Sequence, residues 1–316
     1  MDCIGNTPMV RLNRITSDLS FNVWAKLEFM NPSGSIKDRM ARYIIEDAEK
    51  TGKLKPGGTV IENSSGNTGA GLSMISAARG YGCIITIPDK MSEEKRNFVK
   101  ALGSKVVVTP TEVPADSPES YYSTARRLAQ ETEGSFYPDQ YNNPLNAESH
   151  YATTGPEIWE QMKGKIDALV AGIGTGGTIS GIGKFLRENS PGIKIIGVDP
   201  EGSVFYDYFK TGRLGKFHLY QVEGIGEDYL VKAIDFSVMD DIIQVDDRES
   251  FRMARRIAAE EGIFAGGSSG SALAAIMKGK DLFSPGDDVV VIFPDSGDRY
   301  LSKIYNDDWM TSRGFL

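Results

Sequence analysis

The segment N-P-S-G-S-I-K-D-R, residues 31–39, governs how the rest of this chain is interpreted. Its Pro/Gly/Ser turn precedes an amphipathic run with apolar residues at Ile36, Met40 and Ile44, which predicts a loop followed by a helix. Lys37 falls at the start of that helix, where its amine would face whatever the loop encloses. A solvated surface lysine is the ordinary alternative. Since lysine also forms Schiff bases with carbonyl compounds, Lys37 is a candidate reactive residue.

Three further loops of small residues favour the reactive interpretation. They read S-S-G-N-T-G (64–69), G-I-G-T-G-G-T (172–178) and A-G-G-S-S-G-S (265–271), and each precedes a predicted helix. Backbone N–H groups and hydroxyls at a helix N-terminus favour an anion, although the same residues also serve as plain caps or close-packing points. Two anion-binding loops and a turn-mounted lysine suit a phosphorylated aldehyde cofactor and a carboxylate substrate.

The second loop also matches another class of site. Gly172-x-Gly174-x-x-Gly177 follows a predicted strand, opens a helix, and is followed 22 residues later by Asp199 at the end of the next strand. This is the dinucleotide fingerprint, in which the acid binds a ribose hydroxyl. A nicotinamide-dependent dehydrogenase is therefore an alternative from the residues alone, and a non-catalytic ligand-binding module is another.

Composition excludes several other classes. The 316 residues are 40% hydrophobic and 25% charged, with a net charge of −8, which is typical of a globular protein of one or two domains and argues against a nucleic-acid partner. The apolar runs are strand-sized, and the N-terminus lacks a signal-peptide pattern, so no membrane association and a cytoplasmic location are expected. Two cysteines and two histidines without metal-ligand spacing predict no disulfide framework and no metal.

The predicted elements alternate between strand and helix, which indicates a parallel sheet with right-handed crossovers. We therefore predict an α/β fold of two open twisted parallel-sheet lobes, with helices on both faces and a cleft between the lobes. Strands are predicted at 9–12, 22–28, 59–62, 83–87, 105–108, 168–173, 194–198, 241–245 and 288–293. Helices are predicted after Lys37, at 68–79, 92–102, 119–133, 178–189 and 248–260, and after loop 265–271.

Taken together, these motifs resemble the fold type II (tryptophan-synthase-β-like) pyridoxal-phosphate enzymes, specifically the cystathionine β-synthase and cysteine synthase group. The resemblance covers nearly the whole chain through G-N-T-P-M-V-R-L, S-G-S-I-K-D-R, S-S-G-N-T-G, G-T-G-G-T, V-E-G-I-G, G-G-S-S-G-S and P-D-S. The segments D-S-P-E-S, D-Q-Y, V-D-P-E-G-S and the terminal W-M-x-x-x-G-F-L are closer to cystathionine β-synthase. The family resemblance implies a large cofactor-binding domain of residues 1–40 and 141–316, and a smaller mobile substrate-side domain of residues 41–140.

The resemblance also implies roles for individual residues. Lys37 would be the catalytic residue and hold pyridoxal 5'-phosphate as a Schiff base, Asn67 would contact its ring hydroxyl, and Ser268 would face its pyridine nitrogen. Asp199 then becomes a strand-end residue rather than a ribose ligand. The phosphate would be bound by Gly174, Thr175, Gly176, Gly177 and Thr178. The substrate would be bound by Ser64, Ser65, Asn67, Thr68 and Gln140, with Tyr141, Gly226 and Glu227 lining the cleft.

The implied activity is β-replacement on L-serine by a thiol, L-homocysteine, to give L-cystathionine, with hydrogen sulfide released when cysteine replaces serine. The alternative is a cysteine synthase that uses O-acetylserine and sulfide. The family pattern starts at Gly5 and no further domain is expected after Leu316, so neither haem nor an adenosyl effector is expected. The resemblance also implies a homodimer. Glu227 stands where animal and yeast enzymes of the group carry an aromatic residue.

Overall fold

The computed structural model describes residues 1–114 and 116–316 and contains two β-sheets. The larger sheet has six strands in the order β1-β2-β10-β7-β8-β9, and the smaller has four in the order β5-β4-β3-β6. The larger comprises β1 (Met9–Arg11), β2 (Asn22–Leu27), β7 (Ala168–Gly172), β8 (Lys194–Pro200), β9 (Asp241–Val245) and β10 (Asp288–Phe293). The smaller comprises β3 (Thr59–Asn63), β4 (Gly82–Pro88), β5 (Lys105–Thr109) and β6 (Ser135–Phe136).

Parallel pairing dominates both sheets, as the sequence predicts, and helices cover them. The apolar run of β10 explains its central place, because it pairs in parallel with β2 on one side and β7 on the other and is almost wholly buried. β1 departs from the prediction, since it pairs antiparallel with β2. The short link between these two strands contains no crossover helix, and without one the chain can only return antiparallel.

Eleven α-helices connect and cover the strands within the described residues. They are α1 (Lys37–Lys50), α2 (Asn67–Arg79), α3 (Glu93–Ala101), α4 (Tyr121–Glu131), α5 (Leu145–Ala152), α6 (Thr154–Gln161), α7 (Gly177–Asn189), α8 (Phe205–Thr211), α9 (Asp247–Arg256), α10 (Gly267–Lys278) and α11 (Asp307–Ser312). None of the helices in residues 1–114 and 116–316 is long and apolar enough to cross a membrane.

The helix that carries Lys37 forms for the reason that the sequence suggests. In α1 the buried apolar residues Met40, Ala41, Ile44 and Ile45 recur at helical spacing, so one face packs into the protein. The helix ends before Gly52, which adopts a positive φ of 73°. Lys37 is thereby fixed at the first position of a rigid, packed element.

Three local predictions were wrong. Helices α5 and α6 occupy a segment for which no helix was predicted, and α8 lies in a region expected to be loop. The single helix predicted at 248–260 is instead α9 followed by a π-helical segment, Ile257–Glu261. The strands of the smaller sheet all fall within 41–140, but the division into a fixed and a mobile domain stays a prediction.

Candidate active site

A cavity of about 1050 Å³ opens between the carboxyl ends of the two sheets. Pro88 ends β4, Gly172 ends β7 and Pro294 follows β10, and all three line it. This is the edge at which open parallel sheets bind ligands. The lining also includes most of the residues predicted from the sequence, namely Lys37, Ser65, Asn67, Thr68, Gln140, Tyr141, Gly174, Thr175, Gly176, Thr178, Gly226, Glu227 and Ser268.

Lys37 presents its amine to this cavity. Its Nζ has no hydrogen-bond or ion-pair partner among the residues that the structure describes. Burial lowers the pKa of Lys37 to about 8, and the negative charges of Asp295 and Glu227 oppose this shift only in part. An unpaired amine whose pKa is about 8 has a much larger neutral fraction near physiological pH than an ordinary lysine. It is therefore suited to act as a nucleophile or a base.

The loop at 174–178 forms a cradle of backbone atoms. A Cβ on Gly174 would lie 2.6 Å from the carbonyl oxygen of Gly224, and a Cβ on Gly176, whose φ is 81°, would overlap Ile234. Gly177 starts α7 and lies against a side chain of α5 rather than in the lining of the cavity. The glycines therefore allow the loop to pack closely at the start of α7 while residues 174–176 and 178 line the cleft, and backbone N–H groups at a helix N-terminus favour a phosphate.

The loop at 64–69 has an inner and an outer face. Ser64 belongs to the inner face, because its Oγ accepts the backbone N–H groups of Gly66 and Gly69, each at 2.9 Å. Thr68, on the outer face, donates through Oγ1 to Oε1 of Gln140 at 2.6 Å. Ser64 is thus placed to shape the loop, whereas Ser65, Asn67, Thr68 and Gln140 line the cavity.

A network around Asn67 contains residues to which the sequence analysis assigned no role. The Asn67 amide donates to Oδ2 of Asp295 at 2.8 Å and accepts from Arg299 at 2.9 Å. Tyr300 donates to the same Asp295 oxygen at 2.6 Å. Asp295 lies in the P-D-S motif, so the motif was visible, but its contact with Asn67 depends on a fold contact across 228 residues.

Glu227 lies inside the cleft among tyrosines. Tyr122 donates to its Oε2 at 3.4 Å, and the rings of Tyr141 and Tyr229 each lie 5.6 Å from that of Tyr122. Burial first, and then the neighbouring Asp228, raise the pKa of Glu227 to about 8. The contact with Tyr122 and the place in the cavity lining distinguish Glu227 from a freely solvated surface charge. No sequence motif marked Tyr122 or Tyr229.

The residues present fit pyridoxal phosphate. The cleft offers an uncommitted lysine amine, a glycine-rich anion cradle at the start of α7, and the neutral hydroxyl of Ser268 at the start of α10. Ser268 is 3% exposed and lines the cavity, so a hydroxyl rather than a carboxylate would meet the aromatic nitrogen of the cofactor. The amine, the cradle and the hydroxyl match the aldehyde, the phosphate and the ring of that molecule.

The comparisons assign the class. Residues 1–295 match the family model described as "Pyridoxal-phosphate dependent enzyme", and the chain belongs to this family. It is a pyridoxal-phosphate-dependent enzyme of fold type II. Because the class is shown, the dehydrogenase alternative is set aside, and Asp199 is a buried strand-end residue whose Oδ2 accepts the backbone N–H of Tyr206 at 2.9 Å.

Two named relatives and two solved structures resemble the chain over nearly its whole length. The chain is 48% identical to cystathionine beta-synthase of Apis mellifera over 100% of its own length and 63% of the relative, and 48% identical to that of Mus musculus over 99% and 56%. The chain therefore spans between half and two thirds of these relatives. Among solved structures, an O-ureido-L-serine synthase matches with a TM-score of 0.88 and 35% identity, covering 98% of both chains. A hydrogen sulfide-producing enzyme from Fusobacterium nucleatum has the same TM-score and identity, covering 95% of this chain and 98% of its own.

Proposed function

We propose that this enzyme condenses L-serine with L-homocysteine to give L-cystathionine, and releases hydrogen sulfide when L-cysteine replaces L-serine. The observation that carries the proposal is that two chemically distinct groups of side chains line one cleft. The first comprises the hydroxyls and amides of loop 64–69 with the Lys37 amine, and the second comprises the Glu227 carboxylate and its neighbouring tyrosines. Resemblance to the named cystathionine beta-synthases supports the same assignment.

The donor amino acid would bind at loop 64–69. Ser65 offers a hydroxyl, Gln140 offers an amide N–H beside Thr68, and α2 begins at Asn67, so its N-terminus adds backbone N–H groups. These groups suit an α-carboxylate, which is stabilised at a helix N-terminus. The carboxylate then fixes the Cα of the donor close to Lys37.

Bound pyridoxal phosphate supplies an electron sink that makes the Cα proton of an amino acid acidic. Lys37 Nζ would remove that proton and return one to the departing β-substituent, since the hydroxyl of serine leaves poorly as hydroxide. The cradle at 174–178 would hold the phosphate, and the neutral Ser268 would leave the ring nitrogen unprotonated. A moderated sink of this kind favours loss and replacement of the β-substituent over transamination.

The acceptor would bind beside Glu227. Homocysteine differs from sulfide in carrying an ammonium and a carboxylate, and the Glu227 carboxylate in the cavity lining would pair with the ammonium. Gly226, with a φ of 77°, lets the 222–226 turn bring Glu227 to this position. Because burial raises the pKa of Glu227, an arriving ammonium would also favour its ionised form.

A cysteine synthase that uses O-acetylserine and sulfide is the second candidate. Its support is the match to solved enzymes of similar length, one named for O-ureido-L-serine and one for hydrogen sulfide production. Initial rates with each donor and each acceptor, separated by chromatography, distinguish the two. Cystathionine from serine and homocysteine supports the proposal, whereas activity confined to O-acetylserine and sulfide overturns it.

Lys37→Ala tests the chemistry that both candidates share. We expect the variant to fold and to lose turnover by about three or more orders of magnitude, because the anchoring amine and the base are removed together. Borohydride treatment of the wild-type holoenzyme should attach the cofactor to the peptide that contains Lys37. The matched control is Lys90→Ala, an exposed lysine at the rim of the same cavity, which should retain activity. Near-normal turnover of Lys37→Ala contradicts the assignment.

We also propose a homodimer in the cytoplasm. The dimer is supported by the resemblance to the cystathionine β-synthase and cysteine synthase group, and the location by the two free cysteines, Cys3 and Cys83, since disulfides are rare in a reducing compartment. Sedimentation of the purified holoenzyme measures the assembly state, and a monomer at micromolar concentration would contradict it.

A further inference from the structure

Helix α5 packs directly behind the 174–178 loop and turns buried polar side chains toward it. Asn146 and His150 are four residues apart, so they share one face of the helix. Both are fully buried, and both contact threonine hydroxyls of the loop. Neither takes part in the chemistry proposed above. A buried histidine beside an anion cradle therefore requires an explanation of its own.

Asn146 contacts Thr175 in a fixed direction. Its Nδ2 donates to the backbone carbonyl of Gln140 at 2.8 Å and to Thr175 Oγ1 at 2.9 Å. A carbonyl only accepts hydrogen bonds, so the nitrogen and not the oxygen of the amide must occupy this position. Thr175 consequently accepts from Asn146, and its own hydroxyl proton is free to point into the cleft.

His150 contacts Thr178 in a direction that depends on its tautomer. Nε2 lies 3.3 Å from Thr178 Oγ1, and Nδ1 lies 2.9 Å from Thr154 Oγ1. Thr153 donates its hydroxyl proton to the carbonyl of Ser149 at 2.6 Å, so the Thr154 proton has two possible acceptors, Nδ1 at 2.9 Å and Thr153 Oγ1 at 3.5 Å. The shorter contact favours donation from Thr154 to Nδ1. Nε2 then carries the ring proton and donates it to Thr178.

The ring is held in its neutral form. Burial first, and then the positive charges of Lys37 and Arg39, lower the pKa of His150 well below its usual range. A neutral ring has one donor and one acceptor nitrogen, so the Thr154 contact decides whether Nε2, the nitrogen that faces the loop, is the donor or the acceptor.

We propose that α5 is a positioning helix, in which Asn146 and the Nε2–H tautomer of His150 direct the hydroxyl protons of Thr175 and Thr178 into the cleft, where both donate to the phosphate of the cofactor. The opposite tautomer would turn the Thr178 proton away and present lone pairs to an anion. This inference rests on the proposed assignment of loop 174–178 to the phosphate, but not on the identity of the amino-acid substrates.

The tautomer is measured directly by nitrogen NMR of the holoenzyme labelled with ¹⁵N-histidine. The chain has two histidines, so a His218→Gln variant, which changes an exposed residue, assigns the spectrum. We expect a neutral Nε2–H ring for His150 between about pH 6 and 8, since its pKa lies below the ordinary value near 6.5. An Nδ1–H or doubly protonated ring would overturn the proposal.

Cofactor affinity supplies the functional readout. His150→Leu should weaken cofactor binding about tenfold or more and shift the ³¹P resonance of the bound phosphate. The reason is that Thr178 loses the donor that directs its hydroxyl proton toward the charged phosphate. His150→Gln keeps an N–H donor and should bind the cofactor within about threefold of wild type. In a Thr178→Val background, His150→Leu should add less than about a twofold effect.

These variants separate the alternatives. Equal effects of His150→Leu with and without Thr178 would mean a purely structural role and would overturn the proposal. If His150→Leu does not fold, the Gln variant and the NMR measurement still decide it. An unchanged cofactor affinity of Thr178→Val alone would refute the loop assignment, and this inference with it. Substrate assays do not enter the test, so a different donor or acceptor leaves the outcome unaffected.

Discussion

Three ionisable side chains set the charge balance of the cleft at the scale of single residues. The Lys37 amine is influenced by the carboxylates of Asp295 and Glu227, and burial acts on both Lys37 and Glu227. Burial disfavours the charged form of each, so the lysine loses its proton and the glutamate keeps its proton more readily than in water. The same environment therefore lowers the pKa of the candidate base, Lys37, and raises the pKa of Glu227, the residue proposed to bind the acceptor.

Glu227→Gln tests the proposed contact between Glu227 and the ammonium group of homocysteine. We expect the KM for homocysteine to rise between a few-fold and about tenfold, because a partly desolvated pair with an ammonium is lost. The KM for serine and the rate with sulfide should hardly change, since neither requires that contact. Steady-state kinetics with the two acceptors measure this, with Asp228→Asn as the control at the exposed neighbour. An equal effect on both acceptors would leave Glu227 without a recognition role.

Sequence was informative about residues where the signal is local. Lys37 and the glycine loops could be found because turn residues before a helix place them without long-range information. The environment of Glu227 could not be found, because it depends on Tyr122, about a hundred positions earlier in the chain. The family resemblance assigned Ser64 to the substrate, whereas in the structure its Oγ accepts the backbone N–H groups of Gly66 and Gly69.

At the scale of elements, α3 is joined to the loops of the larger sheet by a buried ion pair. Lys95 Nζ lies 2.7 Å from Oε2 of Glu223, whose other oxygen lies 2.7 Å from Lys303. The side chains of Lys95 and Glu223 are 1% and 6% exposed. A Cβ on Gly66 would lie 2.5 Å from Lys95 Cδ, so the stem of the lysine also supports loop 64–69. Lys95, which lies in α3, thus connects loop 64–69 with the loops of the larger sheet.

Lys95→Met should weaken this link while keeping the apolar stem. We expect the KM for serine to rise severalfold and cofactor affinity to change little, because the Lys95 stem packs against loop 64–69 rather than against the 174–178 loop. The loss of one partner of a buried pair costs about 3–5 kcal/mol, and less here because Lys303 remains. Lys303→Met, which removes the more exposed partner, is the control and should have a smaller effect. Equal effects of the two variants would argue against a special role for Lys95.

Helices and strands differed in how well their sequences predicted them. Strand β10 was predicted without error because its central apolar run is unambiguous. Helix α5 was missed because its buried face carries Asn146, Ser149 and His150, so the amphipathic pattern that identifies a helix is absent. The missed helix is the one that supports the loop, which shows why polar helices near functional sites escape pattern analysis.

At the scale of the whole molecule, the two sheets and their cleft follow from the alternation of strands and helices, and this part of the prediction is confirmed. The pairing of particular strands was not predictable, because β2 near the start of the chain joins β10 near its end. The same long-range packing buries a carboxyl group behind the residues that line the cleft. Glu62 in β3 is fully buried and accepts the backbone N–H groups of Asn63 at 2.9 Å and Gln140 at 3.1 Å.

Glu62 should make stability depend on pH with a defined sign. Burial, only partly offset by those two hydrogen bonds, raises its pKa from 4.5 to about 8. The folded state then binds more protons than the unfolded state between these values, so the contribution of Glu62 to the free energy of unfolding falls as pH rises, with a limiting slope of about 1.4 kcal/mol per pH unit. Glu62→Gln removes this titration and keeps an acceptor oxygen. Urea unfolding at pH 5, 6, 7 and 8 should show the variant gaining on the wild type as pH increases. Exposed Glu46→Gln serves as the control, and a constant difference between variant and wild type across this range would mean that Glu62 is ionised throughout.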